Sequence, residues 1–245
     1  MARYIVLAAT SGIGQATAEM LQGQGHEVFL TGRRKERIQP LADKLGSSCA
    51  QVDLTDFSAT EEVFGQAVER LGALDGAVNC AGSLLLKAAH LTSRQQYDGV
   101  IASSLTSAFS TVRAAGRHMS GAGGSVVLIA SAAALGGLAN HEAIAAAKAG
   151  VIGLTLSAAA TYAHRNLRFN AVAPGLTQTP ATEGLIHNPT ARRVSEAMHA
   201  LGRLGEPGDI ARAIAFLLDP ANHWITGQVL AVDGGLSRIH PRAKI

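Results

Sequence analysis

The sequence predicts a doubly wound α/β fold, in which a mostly parallel seven-stranded sheet carries helices on both faces. Two observations predict it. Short apolar, β-branched runs alternate with longer helical stretches, and no linker or change of composition divides the 245 residues. Strands that are apolar throughout are buried on both faces, which is typical of parallel sheets covered by helices. A chain of this length can bury its core in one large domain, so we expect residues 1–245 to form a single domain.

The elements follow in order from the alternation. Strands are predicted at residues 4–7, 27–31, 49–52, 76–79, 126–129, 168–172 and 229–232. Helices are predicted at residues 13–21, 37–45, 60–71, within 97–119, 141–163 and 207–218, the last opened by Pro207 at a favoured first-turn position. Residues 177–201 break the rhythm with two prolines and weak periodicity, which predicts a flexible lid over a site.

Composition and charge exclude several classes of function. The net charge is +3, but the basic residues are scattered, so no nucleic-acid surface is expected. Cys49 and Cys80 have no C-x-x-C spacing, which indicates neither a disulfide framework nor a metal site and fits a reducing cytoplasm. The apolar run at residues 4–9 is too short for a signal peptide. Lys148 interrupts the apolar stretch 143–163, which therefore predicts a packed helix and no membrane span.

The first functional signal is a glycine-rich turn between the first strand and the first helix. It reads Ala8-Ala9-Thr10-Ser11-Gly12-Ile13-Gly14. Gly12 lets the backbone approach a diphosphate, and Gly14 lets the helix pack closely on the strand. The helix N-terminus then offers free N–H groups and the positive end of its dipole to the phosphates. This context predicts a Rossmann-type dinucleotide site that includes Thr10, Ser11 and Ile13.

Several further motifs occur in a fixed order along the chain. They are Asp53-Leu54-Thr55 after the third strand, Asn79-Cys80-Ala81-Gly82 after the fourth, Ser131 after the fifth, Lys148 in the following helix, Pro174-Gly175 after the sixth strand, and Asp233-Gly234-Gly235 near the end. In this order, with the glycine-rich turn, the chain resembles the short-chain dehydrogenases/reductases over about residues 3–236.

The resemblance implies roles for these residues in binding the cofactor. Asp53 and Leu54 would border the adenine. The cofactor channel and central strand would be supported by Asn79, Ala81 and Gly82, and the nicotinamide would be flanked by Pro174, Gly175 and Thr177. The resemblance also implies a homotetramer or homodimer, in which the helix 141–163 and the long helix before it pack against partner copies.

Charge at the end of the second strand predicts which cofactor is bound. NAD-specific members of the family usually carry an acidic residue there to bind the ribose 2′-hydroxyl. This chain has Gly32, followed by Arg33 and Arg34. No carboxylate would repel a 2′-phosphate at this position, and a guanidinium can bind one through two hydrogen bonds. The sequence therefore favours NADP(H).

The chain departs from the family at its catalytic residues. The resemblance implies a Ser that orients the substrate oxygen, a Lys that holds the nicotinamide ribose, a Tyr that supplies the proton, and an Asn in a proton relay. Ser131 and Lys148 match the first two roles, but Ile144 occupies the Tyr position and Ser104 the Asn position. An isoleucine cannot donate a proton, so the proton source is open.

Three interpretations follow from this departure. In the first, another group is the acid, and His141 is the candidate because it would share a helical face with Ile144 and Lys148 if the helix begins early enough. In the second, the small-molecule substrate carries a C=N or C=C bond in place of a carbonyl or alcohol. In the third, the protein binds NADP(H) without turnover, as a sensor or an inactive partner subunit.

Overall fold

Seven parallel strands form one sheet at the centre of the molecule. The computed structural model describes residues 1–119 and 123–240, so residues 120–122 and 241–245 of the expected domain lie outside the description. The strands are β1 (Arg3–Leu7), β2 (Glu27–Gly32), β3 (Ser48–Gln51), β4 (Gly76–Asn79), β5 (Gly124–Ile129), β6 (Leu167–Pro174) and β7 (Val229–Val232). Their order is β3-β2-β1-β4-β5-β6-β7, and every pairing is parallel. The predicted doubly wound fold of the Rossmann type is confirmed.

Helices cover both faces of the sheet. They are α1 (Gly12–Gly23), α2 (Lys35–Leu45), α3 (Phe57–Leu71), α4 (Arg94–Ile101), α5 (Ser107–His118), α6 (Glu142–Tyr162), α7 (Glu183–Ile186), α8 (Pro189–Met198) and α9 (Pro207–Leu218). One core layer packs α3, α5 and α6 on the sheet around Phe64 and Phe169. The other packs α1, α2 and α9 around Leu30 and Ile214. Alternate residues of each strand enter opposite layers, as the two-residue period of a strand requires.

The helix predicted within residues 97–119 contains an irregularity. A π-helical segment (Ala102–Thr106) joins α4 to α5, so that one continuous helix extends from Arg94 to His118 with a local change of pitch. Single π-turns inside α-helices hold one extra residue and are frequent at functional sites. The apolar spacing gave no indication of this segment.

Residues 177–201 are more regular than their weak periodicity predicts. Two short helices, α7 and α8, lie there, and neither buries a single residue completely. Asn188 caps α8 by accepting hydrogen bonds from the backbone N–H groups of Thr190 and Ala191, and Pro189 occupies its first turn. The two helices are only four and ten residues long, shorter than the window of about 11–18 residues over which a helical period is recognised.

The long helix α6 is apolar enough and long enough to cross a membrane by composition alone. In the structure it lies against the sheet, and its residues Ala147, Val151 and Ala158 are buried in core clusters. Lys148 is also almost fully buried. The expected packed helix is what the structure contains.

Candidate active site

A cavity of about 560 Å³ opens at the carboxyl ends of the strands. It lies beside the end of β1. The strand order reverses here, because β2 and β3 follow on one side of β1 and β4 to β7 on the other. Ligands of open α/β sheets bind in the crevice at this switch point. The ends of β2 and β3 wall one half of the cavity, and the ends of β4, β5 and β6 wall the other.

The glycine-rich turn forms the floor between the two halves. Ala8 has a φ of 55° and therefore a left-handed backbone, an uncommon conformation for a residue with a side chain. Ser11 caps α1 by accepting a hydrogen bond from the Gly14 N–H at 3.1 Å. A Cβ on Gly14 would lie 2.4 Å from the Ala8 carbonyl oxygen, so only glycine fits there. The first-turn N–H groups of Gly12 and Ile13 have no acceptor within the helix, as a diphosphate site requires.

The segment after β6 crosses directly over this turn. A Cβ on Gly12 would lie 2.8 Å from the Thr179 Cγ2 atom and 3.3 Å from Pro180 Cδ. Thr182 Oγ1 donates to the Thr177 carbonyl at 2.7 Å, which folds the segment over the cavity. The absence of a side chain at Gly12 therefore allows this segment to pack directly against the turn.

Positive charge collects at the end of β2. Arg33 and Arg34 line the cavity as the sequence predicts, and Arg37, in the first turn of α2, lies with them. Asp53 faces the same half, and its Oδ1 atom accepts hydrogen bonds from Thr55 N–H at 3.0 Å and Thr55 Oγ1 at 2.8 Å. These two bonds lower the pKa of Asp53. Three guanidinium groups beside one carboxylate suit a cofactor with an extra phosphate on the adenosine ribose.

The residues after β4 take two different positions. Ala81 and Gly82 line the cavity, whereas Asn79 lies beneath them and is only 3% exposed. Asn79 Oδ1 accepts from the Ala81 N–H at 2.8 Å, and Asn79 Nδ2 donates to Thr111 Oγ1 at 2.9 Å. Asn79 therefore shapes the wall through the backbone and does not itself face the cavity. Gly14 and Asn79 are the two predicted cofactor residues that lie outside the cavity lining.

Ser131 and Lys148 both line the cavity, Ser131 just after β5 and Lys148 within α6. The Lys148 Nζ atom donates to the Ile129 carbonyl at 2.6 Å, and its side chain is 5% exposed. Burial lowers the pKa of Lys148 to about 8, because desolvation disfavours the charged form. Ser131 Oγ accepts from the Ala133 N–H at 3.2 Å, which leaves its O–H free to donate to a bound oxygen.

The position of the expected tyrosine is an apolar wall. Ile144 lines the cavity and is 4% exposed, and it packs in a cluster with Val100 and Ala133. His141 lines the cavity too, but it is the N-cap of α6 and not a residue within the helix. Because α6 begins only at Glu142, His141 does not share a helical face with Ile144 and Lys148. It lines the cavity from the N-cap position.

Ser104 stands at the position where the family resemblance implies an asparagine. It lies within the π-helical segment and is 2% exposed, and its Oγ atom has no hydrogen-bond partner among the described residues. A Cβ on Gly82 would lie 3.8 Å from this atom and 3.4 Å from Lys148 Nζ. Ser104 is therefore close to Lys148, behind the cavity wall.

Pro174, Gly175 and Thr177 line the same half of the cavity as Ser131 and Lys148.

Arg37 and Thr179 also line the cavity, and the sequence analysis did not predict either of them. Arg37 had a usable signal, since it lies one helical turn beyond Arg33 and Arg34. Thr179 had none, because nothing in its local sequence places it over Gly12.

Comparison with known proteins gives a consistent result. A family model described as Enoyl-(Acyl carrier protein) reductase matches residues 7–237. A cis-4-hydroxycyclohexanecarboxylate dehydrogenase of Sinomonas cyclohexanicum is 38% identical over 242 residues, covering 96% of this chain and 96% of the relative. The 3-oxoacyl-[acyl-carrier-protein] reductase FabG of Thermotoga maritima is 34% identical over 242 residues, covering 95% and 96%. A solved structure of ElxO with NADP bound superposes with a TM-score of 0.90 at 29% identity, covering 96% and 98%.

Proposed function

The chain belongs to the short-chain dehydrogenase/reductase family, and we propose that it moves hydride between NADP(H) and a small apolar substrate without the family's tyrosine. It is an NADP(H)-dependent oxidoreductase. One observation carries the finer proposal. Ser131, Lys148 and Ile144 line one half of the cavity, so a hydrogen-bond donor and a cation face an apolar wall where the tyrosine would be.

Different residues along the cavity bind different parts of the cofactor and the substrate. The N-terminus of α1 binds the diphosphate, and Arg33, Arg34 and Arg37 bind the 2′-phosphate. Lys148, fixed by the Ile129 carbonyl, has two N–H donors left for the nicotinamide ribose. When bound, the nicotinamide supplies or accepts the hydride. Ser131 donates a hydrogen bond to the acceptor atom and orients it.

His141 is the proton donor in this proposal. Its Nδ1 atom is 2.7 Å from the Ala139 carbonyl oxygen, which can only accept, so Nδ1 carries a hydrogen. Proton gain and loss therefore occur at Nε2. In reduction, a protonated Nε2 gives its proton to the atom that acquires negative charge, and solvent reprotonates the ring. Lys148 is less suited, because one donor is already committed to Ile129 and the others face the ribose.

The residues that line this half of the cavity also indicate the class of substrate. Leu84, Leu138, Ile144 and Leu176 contribute apolar surface, and the titratable groups on this half are Cys80, His141 and Lys148. Burial raises the pKa of the Cys80 thiol to about 12, which keeps it neutral. A half-cavity without an arginine or carboxylate favours a neutral apolar ketone, imine or enone over a charged substrate.

One observation favours a second function. Ile144 cannot protonate anything, so the same fold would also serve a protein that binds NADP(H) without turnover. Fluorescence titration with NADPH, followed by a panel of ketones, imines and enones, separates the two. The proposal expects NADPH oxidation with at least one class of acceptor. Tight binding with no oxidation across the panel supports the sensor or inactive partner subunit.

His141→Ala tests the proton donor once an acceptor is found. We expect kcat to fall by about 10²–10⁴-fold, the usual contribution of general acid catalysis, with NADPH binding retained. The exposed His164→Ala is the matched control and should leave kcat unchanged. Full activity of the His141→Ala protein would remove His141 from the mechanism.

We further propose a cytoplasmic homotetramer or homodimer. Helices α5 and α6, which were expected to meet partner copies, expose Phe109 (48%) and Leu156 (52%) to solvent. Large exposed apolar side chains at such positions favour a protein interface. Light scattering of the purified protein tests this, and a monomer at micromolar concentration would contradict it.

A further inference from the structure

A buried histidine lies behind the wall of the cavity and takes no part in the proposed chemistry. His199 follows α8 directly and is 3% exposed. Its Nε2 atom accepts a hydrogen bond from the Leu176 N–H at 3.2 Å, and its Nδ1 atom lies 2.6 Å from the Ser195 carbonyl oxygen. One ring therefore joins α8 to the segment that follows β6.

These two contacts require one protonation state. The Ser195 carbonyl can only accept, so Nδ1 must carry a hydrogen, and the Leu176 N–H can only donate, so Nε2 must carry a lone pair. The neutral ring with its hydrogen on Nδ1 satisfies both. A protonated ring would turn an N–H at Nε2 against the Leu176 N–H, and that contact would be lost.

The ring is in close contact with the cavity wall. A Cβ on Gly175 would lie 2.7 Å from His199 Nε2, so the ring packs directly behind Gly175 and Leu176, which line the cavity. The next residue, Thr177, pairs with Gly205 across an isolated β-bridge. The backbone of residues 175–177 is thus held from behind at two points, and the imidazole is one of them.

The charged groups that face His199 are already engaged. Asp233 opposes it from the end of β7, and although burial acts in the other direction, hydrogen bonds from Ser237 and Gly235 lower the pKa of this carboxyl. Arg203 and Arg212 line a second cavity together with His199 and Asp233, and both bond to Asp209, at 2.7 and 2.6 Å. On its own helix, Glu196 accepts from Arg192. In this arrangement none of these groups replaces His199 as the acceptor for Leu176.

We propose that neutral His199 is a positioning residue, which holds residues 175–177 against the nicotinamide half of the cofactor, and that protonation of His199 releases them. The inference rests on the proposed placement of the nicotinamide beside this segment. The adenosine half is bound by other elements, the ends of β2 and β3, so the effect should be confined to the nicotinamide half.

The experiment compares two ligands, NADPH and adenosine 2′-monophosphate, at about pH 7 and about pH 5.5, across which histidine changes charge. Both ligands carry the 2′-phosphate, whose own titration near pH 6 cancels in the ratio of their dissociation constants. In the unaltered protein, we expect NADPH to lose affinity relative to adenosine 2′-monophosphate on acidification, by at most about tenfold per pH unit. His199→Gln keeps an acceptor near the Nε2 position without titrating, and should bind NADPH normally with a ratio independent of pH.

The exposed His223→Gln is the matched control and should retain the pH dependence of the unaltered protein. His199→Leu removes the acceptor altogether, and should weaken NADPH relative to adenosine 2′-monophosphate at both pH values. A ratio that falls equally in the unaltered protein and in His199→Gln overturns the inference, and so does a ratio that never changes. If the unaltered protein binds no NADPH at about pH 7, the proposed function itself fails, which is a separate outcome.

Discussion

Replacing Lys148 by methionine should stabilise the protein without its cofactor. The pKa of this side chain falls from 10.5 in the unfolded chain to about 8 in the fold. At 1.36 kcal/mol per unit, that shift destabilises the folded state by about 3 kcal/mol at neutral pH, where Lys148 is protonated in both states. Methionine is uncharged and of similar length. It loses the charge-assisted bond to the Ile129 carbonyl, which costs about 2 kcal/mol, so a net gain of about 1 kcal/mol remains.

The sign of the pH dependence follows from the same shift. Between about pH 8 and 10.5 the unfolded chain holds the Lys148 proton and the folded chain has lost it, so the destabilisation shrinks as the pH rises. It falls from about 3 kcal/mol at pH 7 to about 2 kcal/mol at pH 9. The advantage of Lys148→Met should therefore decrease by about 1 kcal/mol over this interval.

Urea unfolding of the cofactor-free protein at both pH values measures this, with protein concentration held constant because assembly would add to the apparent stability. Lys44→Met is the control, since Lys44 is 64% exposed and pairs with Glu19 at the surface. It should change the stability by less than about 1 kcal/mol, equally at both pH values. An advantage of Lys148→Met that does not change with pH would refute the reasoning, and Lys148→Met should in any case bind NADPH poorly.

Three further predictions concern the cavity. Arg33→Ala should weaken NADPH far more than NADH in parallel titrations, by about 1.5–3 kcal/mol for a lost charge-assisted contact, and equal losses would contradict the assignment. Gly14→Ala should abolish NADPH binding and lower the melting temperature, because its Cβ would lie 2.4 Å from the Ala8 carbonyl oxygen, whereas Gly23→Ala, with open space around it, should do neither. Ile144→Tyr should create or increase ketone reduction if the pocket is otherwise like that of the family, and loss of a native activity would show that Ile144 shapes the substrate site.

The sheet was predictable because most strands are apolar runs with helical sequence on either side. The run 168–172, for example, lies within β6, in which all eight residues are buried. The glycine-rich turn was predictable for a similar reason, since close approach at Gly14 permits only one residue type. The position of Ile144 followed from an ungapped match around Lys148, and the structure places both residues in the cavity lining.

The missed features depend on contacts between distant segments. His199 belongs to no motif in the sequence, and only the fold brings Leu176, 23 residues earlier, to its ring. The helix α8 is only ten residues long, too short to establish an apolar period, although Asn188 and Pro189 form an ordinary helix start. The π-helical segment Ala102–Thr106 is built from residues that suit an α-helix equally well, so its pitch is set by packing and not by local preference.

That change of pitch has a consequence for chain length. An ordinary α-helix cannot lose a residue without rotating everything beyond it by about 100°, since it has 3.6 residues per turn. The segment Ala102–Thr106 already accommodates one residue more than a regular turn, so a single deletion within it should let Arg94 to His118 become one uninterrupted α-helix with both ends in place. The shortened protein would keep its scaffold and lose only the local placement of Ser104. Insertion or deletion of one residue in this segment can therefore change which side chain lies behind Lys148 while the rest of the fold is retained.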